Sequence, residues 1–367
     1  MTPPWLDVVG IGEAGLAGLS PAARAALESA GVIVGGDRFP ALPVAARRLP
    51  WPKGMPALAA LLRAERMNHP VMLVTGDPLW YSVGARILSA LPGEEIRFHP
   101  ALSVFQLCAA RLRWSLADLE TLALLRRPPE TAIPFFAPGA RLLMVTEGAK
   151  APPVVARLLT EAGYGASRMV VLSALGGKDE RVIEGEARSW SAPCPDFLTL
   201  AVECRVEPGA EPLPRILPDE ALAGLEASPL EARAAALAFL WPRRGARLIA
   251  EGPGAAALAI DWLRAARDAE ATVIGPDDES LRARAAAFGA PRLAFAETAP
   301  PADAAFFAGP EAEGRARLAA LKPGGRLLIE SRGWEEGATA RIVVMAREGE
   351  LRLSHWRLTK GWETTGP

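Results

Sequence analysis

The sequence predicts an α/β protein built in two domains, on three observations. Short apolar runs such as Leu6-Asp7-Val8-Val9-Gly10-Ile11-Gly12 and Pro70-Val71-Met72-Leu73-Val74-Thr75-Gly76 end in glycine and lead into helix-opening residues. That is the strand–turn–helix rhythm of a parallel sheet. The chain has 367 residues, more than one hydrophobic core ordinarily serves. A proline-rich stretch, Glu207-Pro208-Gly209-Ala210-Glu211-Pro212-Leu213-Pro214, separates two such series and marks a boundary. The expected division is a domain over residues 1–206, a linker over 207–226 and a second domain over 227–367.

The totals narrow the function classes. A net charge of −1 provides no basic field, which argues against a nucleic-acid partner. Cys108, Cys194 and Cys204 have no CxxC spacing, and His69, His99 and His355 are scattered, so no metal centre is expected. The uneven cysteine count suits a reducing, cytoplasmic setting. The first ten residues read as a strand rather than a signal peptide, and no apolar run reaches the ~18 residues that span a bilayer.

In chain order, residues 6–12 are a strand running into a glycine-rich turn. Ser20 caps a helix with Pro21 at its first position. Gly10, Gly12 and Gly15 fit a dinucleotide fingerprint only loosely. The helix begins too far on to hold a pyrophosphate, and the next strand closes on Gly35-Gly36 before Asp37-Arg38 rather than on an acid. A helix is expected over residues 55–66, a strand into Thr75, a helix over about 81–91, a strand over 96–100 and a helix over 104–112. Two strand ends, Gly76-Asp77-Pro78 and Ala101-Leu102-Ser103, each open a helix with small residues and form neighbouring lips of one cleft. Gly76 takes backbone angles closed to other residues, and Pro78 pushes Asp77 to an extended conformation. Asp77 either meets a ligand or only caps the following helix. Strands over 138–146, 168–174, 180–185 and 197–203, with a helix over 152–162 and a Gly176-Gly177 turn, complete a second lobe.

The order of these pieces resembles the tetrapyrrole (corrin and sirohaem) methyltransferases. The likeness rests on Val8-Val9-Gly10-Ile11-Gly12, Gly35-Gly36-Asp37-Arg38, Thr75-Gly76-Asp77-Pro78-Leu79-Trp80-Tyr81-Ser82, Pro100-Ala101-Leu102-Ser103-Val104-Phe105 and Leu175-Gly176-Gly177-Lys178-Asp179-Glu180-Arg181. The second and last of these look most like the branch that methylates precorrin-6Y in cobalamin synthesis. The resemblance implies a two-lobed tetrapyrrole methylase fold binding S-adenosyl-L-methionine mostly through backbone groups. It also implies a tetrapyrrole substrate, no metal held by the protein and a homo-oligomer. Carried over residue by residue, the cofactor site comprises Gly10, Gly12, Gly76, Asp77, Pro78, Ser82, Ala101 and Ser103. Arg38, Arg126 and Arg127 are the residues expected to meet substrate carboxylates, which arginine pairs bidentately. For Arg126 and Arg127 a solvated loop is an equal reading, since Leu124-Leu125 stands where a His-Gly pair is expected.

After the linker come a helix over 229–240, a strand over 247–250, the turn Glu251-Gly252-Pro253-Gly254, a helix over 255–266 and a strand over 271–274. A helix to Phe288 and strands over 303–307 and 321–329 follow. This resembles a Rossmann-like class I methyltransferase, and the C-terminal half of the fused precorrin-6Y enzyme. That likeness implies a second methylation, at C15, with decarboxylation of the ring-C acetate. The residues match poorly. Ala250 falls near the expected acid, Glu251 is displaced by one, Gly275 replaces the acid closing the next strand, and Ala227-Ser228-Pro229-Leu230 replaces a lysine-containing entry loop. The expectation is methylation of precorrin-6Y at C5, with C15 methylation and decarboxylation by the second domain left open. Its residues point to a domain that keeps its fold but binds the donor weakly or not at all, or else to a binding mode that uses Glu251 and the Asp277-Asp278 pair. The alternatives are a C5-only enzyme on a cobalt-containing ring and a non-catalytic tetrapyrrole-binding homologue.

Overall fold

The computed structural model describes residues 4–35, 42, 44–331, 340–346 and 356–358, so Arg38 and His355 lie outside the described residues. The chain divides into two units. One comprises Met1–Arg127, Pro138–Arg157 and Gly165–Arg205; the other comprises Pro128–Ala137, Leu158–Tyr164 and Val206–Pro367. The partition does not run linearly along the chain. Two short pieces of the first half group with the second unit, where the Tyr164 hydroxyl donates to the Phe136 carbonyl at 3.2 Å.

The first unit holds two sheets. Strands β1 (Leu6–Ile11), β2 (Val32–Gly35), β3 (Arg47–Leu49), β4 (Pro70–Thr75) and β5 (Ile96–His99) form an all-parallel sheet in the order β3-β2-β4-β1-β5. Both faces are buried, which explains the unbroken apolar runs. Leu6, Val8, Val34 and Met72 face helix α2 (Met55–Ala64), while Val9, Ile11, Ile33 and Val71 face helix α1 (Pro21–Glu28). Ser20 caps α1, its hydroxyl accepting from the Ala23 amide at 3.2 Å. The helix expected over 81–91 is shorter. Tyr81 takes a left-handed backbone (φ 51°) and Ser82 an extended one, so α3 spans only Val83–Ile87. Helix α4 (Val104–Leu112) follows β5.

Strands β6 (Glu120–Ala123), β7 (Arg141–Val145), β8 (Arg168–Ser173), β9 (Arg181–Glu186) and β10 (Thr199–Glu203) form the second sheet, ordered β6-β7-β10-β8-β9. Here β6 and β7 are parallel and the other pairings antiparallel. Phe105 and Cys108 of α4 pack on Leu143, Val170, Leu172 and Ala201 of this sheet. Helix α5 (Ala151–Glu161) follows β7.

The second unit is organised on one sheet. Strands β11 (Arg247–Glu251), β12 (Glu270–Ile274), β13 (Leu293–Ala296), β14 (Ala302–Ala308) and β15 (Leu321–Ser331) are parallel; β16 (Ala340–Ala346) pairs antiparallel with both β15 and β17 (Trp356–Leu358). The order is β13-β12-β11-β14-β15-β16-β17. Helices α6 (Leu230–Leu240), α7 (Ala255–Ala265), α8 (Glu279–Ala287) and α9 (Glu311–Arg315) accompany it. Trp262 and Asp261 of α7 are fully buried. The buried Arg233 of α6 pairs with Asp261 at 2.8 Å and also donates to the Ser228 and Leu217 carbonyls.

Candidate active site

In the first unit the strand ends on one side of the parallel sheet meet strand ends of the second sheet around a cavity of about 480 Å³. Three turns build the first wall. Gly76 sits at φ +64° and donates its amide to the Ile11 carbonyl at 2.9 Å, and a Cβ built on it would lie 3.4 Å from the Ser103 α-carbon. Gly10 lies behind it. A Cβ added there would fall 2.1 Å from the Gly76 carbonyl oxygen and 3.1 Å from both the Ala101 nitrogen and Pro78 Cδ. Only glycine lets the three turns converge at that spacing. Gly12 is different, because a Cβ there would meet nothing within 4 Å and would project into open space.

Asp77 and Ser103 both serve their helix-side turns. Asp77 Oδ1 accepts from the Leu79 amide at 2.7 Å, an Asx-turn that leaves Oδ2 without a partner among the described residues. Ser103 opens α4 through a capping box: its hydroxyl accepts from the Gln106 amide at 3.4 Å, and its own amide donates to Gln106 Oε1 at 2.7 Å.

The second wall comes from residues without a sequence signature. Thr146 follows β7, Ser173 ends β8 and Thr199 starts β10, and all three line the cavity. Thr146 is 7% exposed and its hydroxyl has no hydrogen-bond partner among the described residues. Buried hydroxyls are nearly always paired, so this unpaired one, on a residue of the cavity lining, is a candidate ligand contact. An aromatic group closes one end. Phe105 carries the rings of Trp80 and Tyr81 at 5.7 and 5.6 Å, and the Tyr81 hydroxyl donates to the Thr121 carbonyl at 2.8 Å. The Gly176-Gly177 turn is fixed from outside. Arg111 pairs both oxygens of Glu180, which also accepts from the Gly176 amide at 2.8 Å. These contacts, the Arg111 guanidinium first, hold the Glu180 carboxyl down to about 2.

Electrostatically the cavity is one-signed. Glu13, Asp77, Glu147 and Asp196 line it, and no lysine, arginine or histidine does so among the described residues. Such a lining favours a cationic guest. It contains no Ser-His-Asp or Cys-His arrangement. Cys108, beside it, is buried, which pushes its thiol up to about 12 and keeps it protonated. Among the described residues no group of three or more His, Cys, Asp or Glu side chains gathers as a metal would need. His99 pairs with Asp7 at 2.7 Å inside the sheet. No helix of the described residues is long and apolar enough to cross a membrane.

Of the residues expected from the sequence, Gly12, Gly76, Asp77 and Ser103 line the cavity. Gly10, Pro78 and Ala101 stand behind it as packing partners of the Gly76 turn. Ser82 is not among the lining residues; its hydroxyl caps α3, accepting from Gly84 at 3.3 Å. Arg126 and Arg127 are exposed, next to the lining residue Leu125. Arg126 has a left-handed backbone (φ 58°), and its amide donates to Glu147 Oε1 at 2.5 Å.

The profile of the tetrapyrrole (corrin/porphyrin) methylases matches residues 6–190, which hold every residue of this cavity's first wall. A curated relative, the precorrin-6Y C(5,15)-methyltransferase (decarboxylating) of a Sinorhizobium species, is 34% identical over 354 residues, covering 89% of this chain and 84% of that one. The chain belongs to the tetrapyrrole methylase family. A second profile, of a precorrin methyltransferase domain, matches residues 228–360. The cobalt-precorrin-7 C(5)-methyltransferase of Salmonella typhimurium is 30% identical over 181 residues, 48% of this chain and 88% of that one. Among solved structures, a precorrin-6Y methylase from Archaeoglobus fulgidus aligns with a TM-score of 0.44 at 23% identity, covering 55% of this chain and all of that one.

Proposed function

We propose that this tetrapyrrole methylase is an S-adenosyl-L-methionine-dependent C-methyltransferase of corrin synthesis, acting on precorrin-6Y at C5. The cavity of the first unit is its donor site. The observation that carries the reading is the lining itself, with four carboxylates, glycine turns, free hydroxyls and no basic side chain. The donor, when bound, supplies a methyl carbon already activated by a sulfonium, so the protein needs no nucleophile of its own. The residues present fit that group. Glu13, Asp77, Glu147 and Asp196 favour its cationic centre, and the glycine turns at Gly12 and Gly76 admit it close to the backbone. Thr146 and Ser173 bring hydroxyl-bearing side chains into the lining beside its polar edges. What remains for the chain is to align donor and acceptor and exclude water. Trp80, Tyr81 and Phe105 provide an apolar wall for that. Arg126 and Arg127 are exposed and adjoin the lining residue Leu125, which supports assigning them to the carboxylates of a tetrapyrrole.

We infer the same domain division as the sequence suggests: a tetrapyrrole methylase domain over residues 1–206, a linker over 207–226 and a Rossmann-like class I domain over 227–367. Counting β11 to β15 as strands 1 to 5, the order 3-2-1-4-5 supports the doubly wound reading, with its switch point between β11 and β14. The test is binding of S-adenosylhomocysteine to the full chain, followed by turnover of labelled donor with precorrin-6Y. Saturable binding and a methylated product are expected. Uptake of the ring without methyl transfer would favour a tetrapyrrole-binding homologue. Turnover only of the cobalt-containing ring would favour a cobalt-precorrin enzyme.

A further inference from the structure

The switch point of the second unit is where a nucleoside-bearing ligand would sit, at the carboxyl ends of β11 and β14. A ribose held there needs a carboxylate to accept its hydroxyls. Among the described residues, the carboxylates nearest that point are each engaged with another group. Glu251, the last residue of β11, is clamped by Arg317: Nε to Oε2 and the terminal nitrogen to Oε1, both at 2.6 Å. The same guanidinium stacks over the ring of Phe307, near the end of β14, with its carbon 5.3 Å from the ring centre. Taking Glu251 away would exchange a bidentate pairing with a guanidinium for hydrogen bonds from an uncharged diol, and would leave Arg317 without its carboxylate.

Strand β12, the neighbour of β11, ends on Ile274 and continues into Gly275-Pro276 without an acid. The two acids that follow are engaged. Asp278 caps α8, Oδ1 accepting from the Leu281 amide at 2.9 Å, and Asp277 pairs with Arg282 at 3.1 Å. Glu330, near the end of β15, is 3% exposed and receives the Ser228 hydroxyl at 2.7 Å. That bond ties the Ala227-Ser228-Pro229-Leu230 loop to the sheet. Glu297, exposed beyond β13, lies two strands away from β11. The turn after β11 packs closely on the end of β14, since a Cβ on Gly252 would fall 2.2 Å from the Ala308 carbonyl oxygen.

From this arrangement we propose that the second unit takes no methyl donor, that the Glu251–Arg317 clamp stands in the donor's place, and that the chain adds one methyl group per substrate molecule. This sets it apart from relatives whose name records methylation at two carbons. The inference rests on the first-unit cavity being the donor site.

Calorimetric titration of the full chain with S-adenosylhomocysteine tests it, together with mass analysis of precorrin-6Y after exhaustive incubation with labelled donor. One equivalent bound per chain, and a product with one added methyl and every carboxylate retained, are expected. Two equivalents bound, or two methyl groups with one carboxylate lost, overturn the inference while leaving the first-unit reading standing. No binding and no methylation overturn that reading, and this inference with it. The titration is repeated with Gly12→Val, whose side chain would enter the first cavity where the backbone leaves open space. Loss of all binding is expected. One equivalent remaining in a folded variant that has lost methylation at C5 places a donor in the second unit and overturns the proposal.

Discussion

The α-carbon of Gly10 faces the Gly76 carbonyl so closely that a Cβ would lie 2.1 Å from its oxygen, whereas Gly12, two residues on, has nothing within 4 Å. The two glycines therefore do different work. Gly10→Ala forces apart the turns after β1, β4 and β5 and is expected to cost about 1–3 kcal/mol of stability, the range of core overpacking. Gly12→Ala should unfold at the wild-type urea midpoint yet bind donor more weakly. Equal midpoints for the two variants would contradict the assignment.

Thr146 gives a prediction of opposite sign for stability and binding. Its hydroxyl is buried and unpaired, so Thr146→Val removes an unsatisfied polar group and should leave stability equal or higher. Donor affinity should fall about fivefold, the worth of about 1 kcal/mol for one hydrogen bond. A drop in urea midpoint with unchanged donor affinity would make Thr146 a structural residue.

Glu180 links stability of the Gly176-Gly177 turn to pH. Its carboxyl is held down to about 2 by Arg111 and the Gly176 amide, against about 4.3 in an unfolded chain. A depressed carboxyl contributes stability that is fully present above the unfolded value and lost as pH falls toward about 2. Urea midpoints of the wild type should therefore decline between about pH 4 and pH 2 more steeply than those of Glu180→Gln. Parallel curves would remove the ion pair from the account.

In the second unit, Arg233 and Asp261 are 2% and 0% exposed and 2.8 Å apart. Arg233→Met leaves the buried Asp261 carboxylate without its hydrogen-bonded cation, keeping only the Leu217 amide and the nearby Arg264, and should cost about 3–5 kcal/mol. The double variant Arg233→Met/Asp261→Leu should cost less than the sum of the single changes. Strict additivity in denaturant titrations would show that the pair is not coupled.

Much of the first wall was legible in the sequence because turn chemistry is local. Gly76, Asp77 and Ser103 announce a strand end opening a helix within a few residues. Ser82 carries the same local signal but caps α3 outside the cavity, since Tyr81 turns the backbone left-handed just before it. The second wall was not legible. Thr146, Glu147, Ser173 and Asp196 come from three strand ends spread along the chain, and no spacing rule connects them.

By itself the sequence determined the parallel sheets, through apolar runs buried on both faces, and the family, through ordered motifs from Gly10 to Arg181. It also determined that the second domain's turn lacks its expected acids. Only the tertiary structure decided what replaces them. Glu251 and Arg317 are 66 residues apart and meet solely because β11 and β14 are neighbours in the sheet. Likewise, the negative lining of the first cavity arises from carboxylates that approach one another only when the two sheets are in place. Local propensity follows from neighbours in sequence, whereas charge pairing and cavity lining follow from neighbours in space.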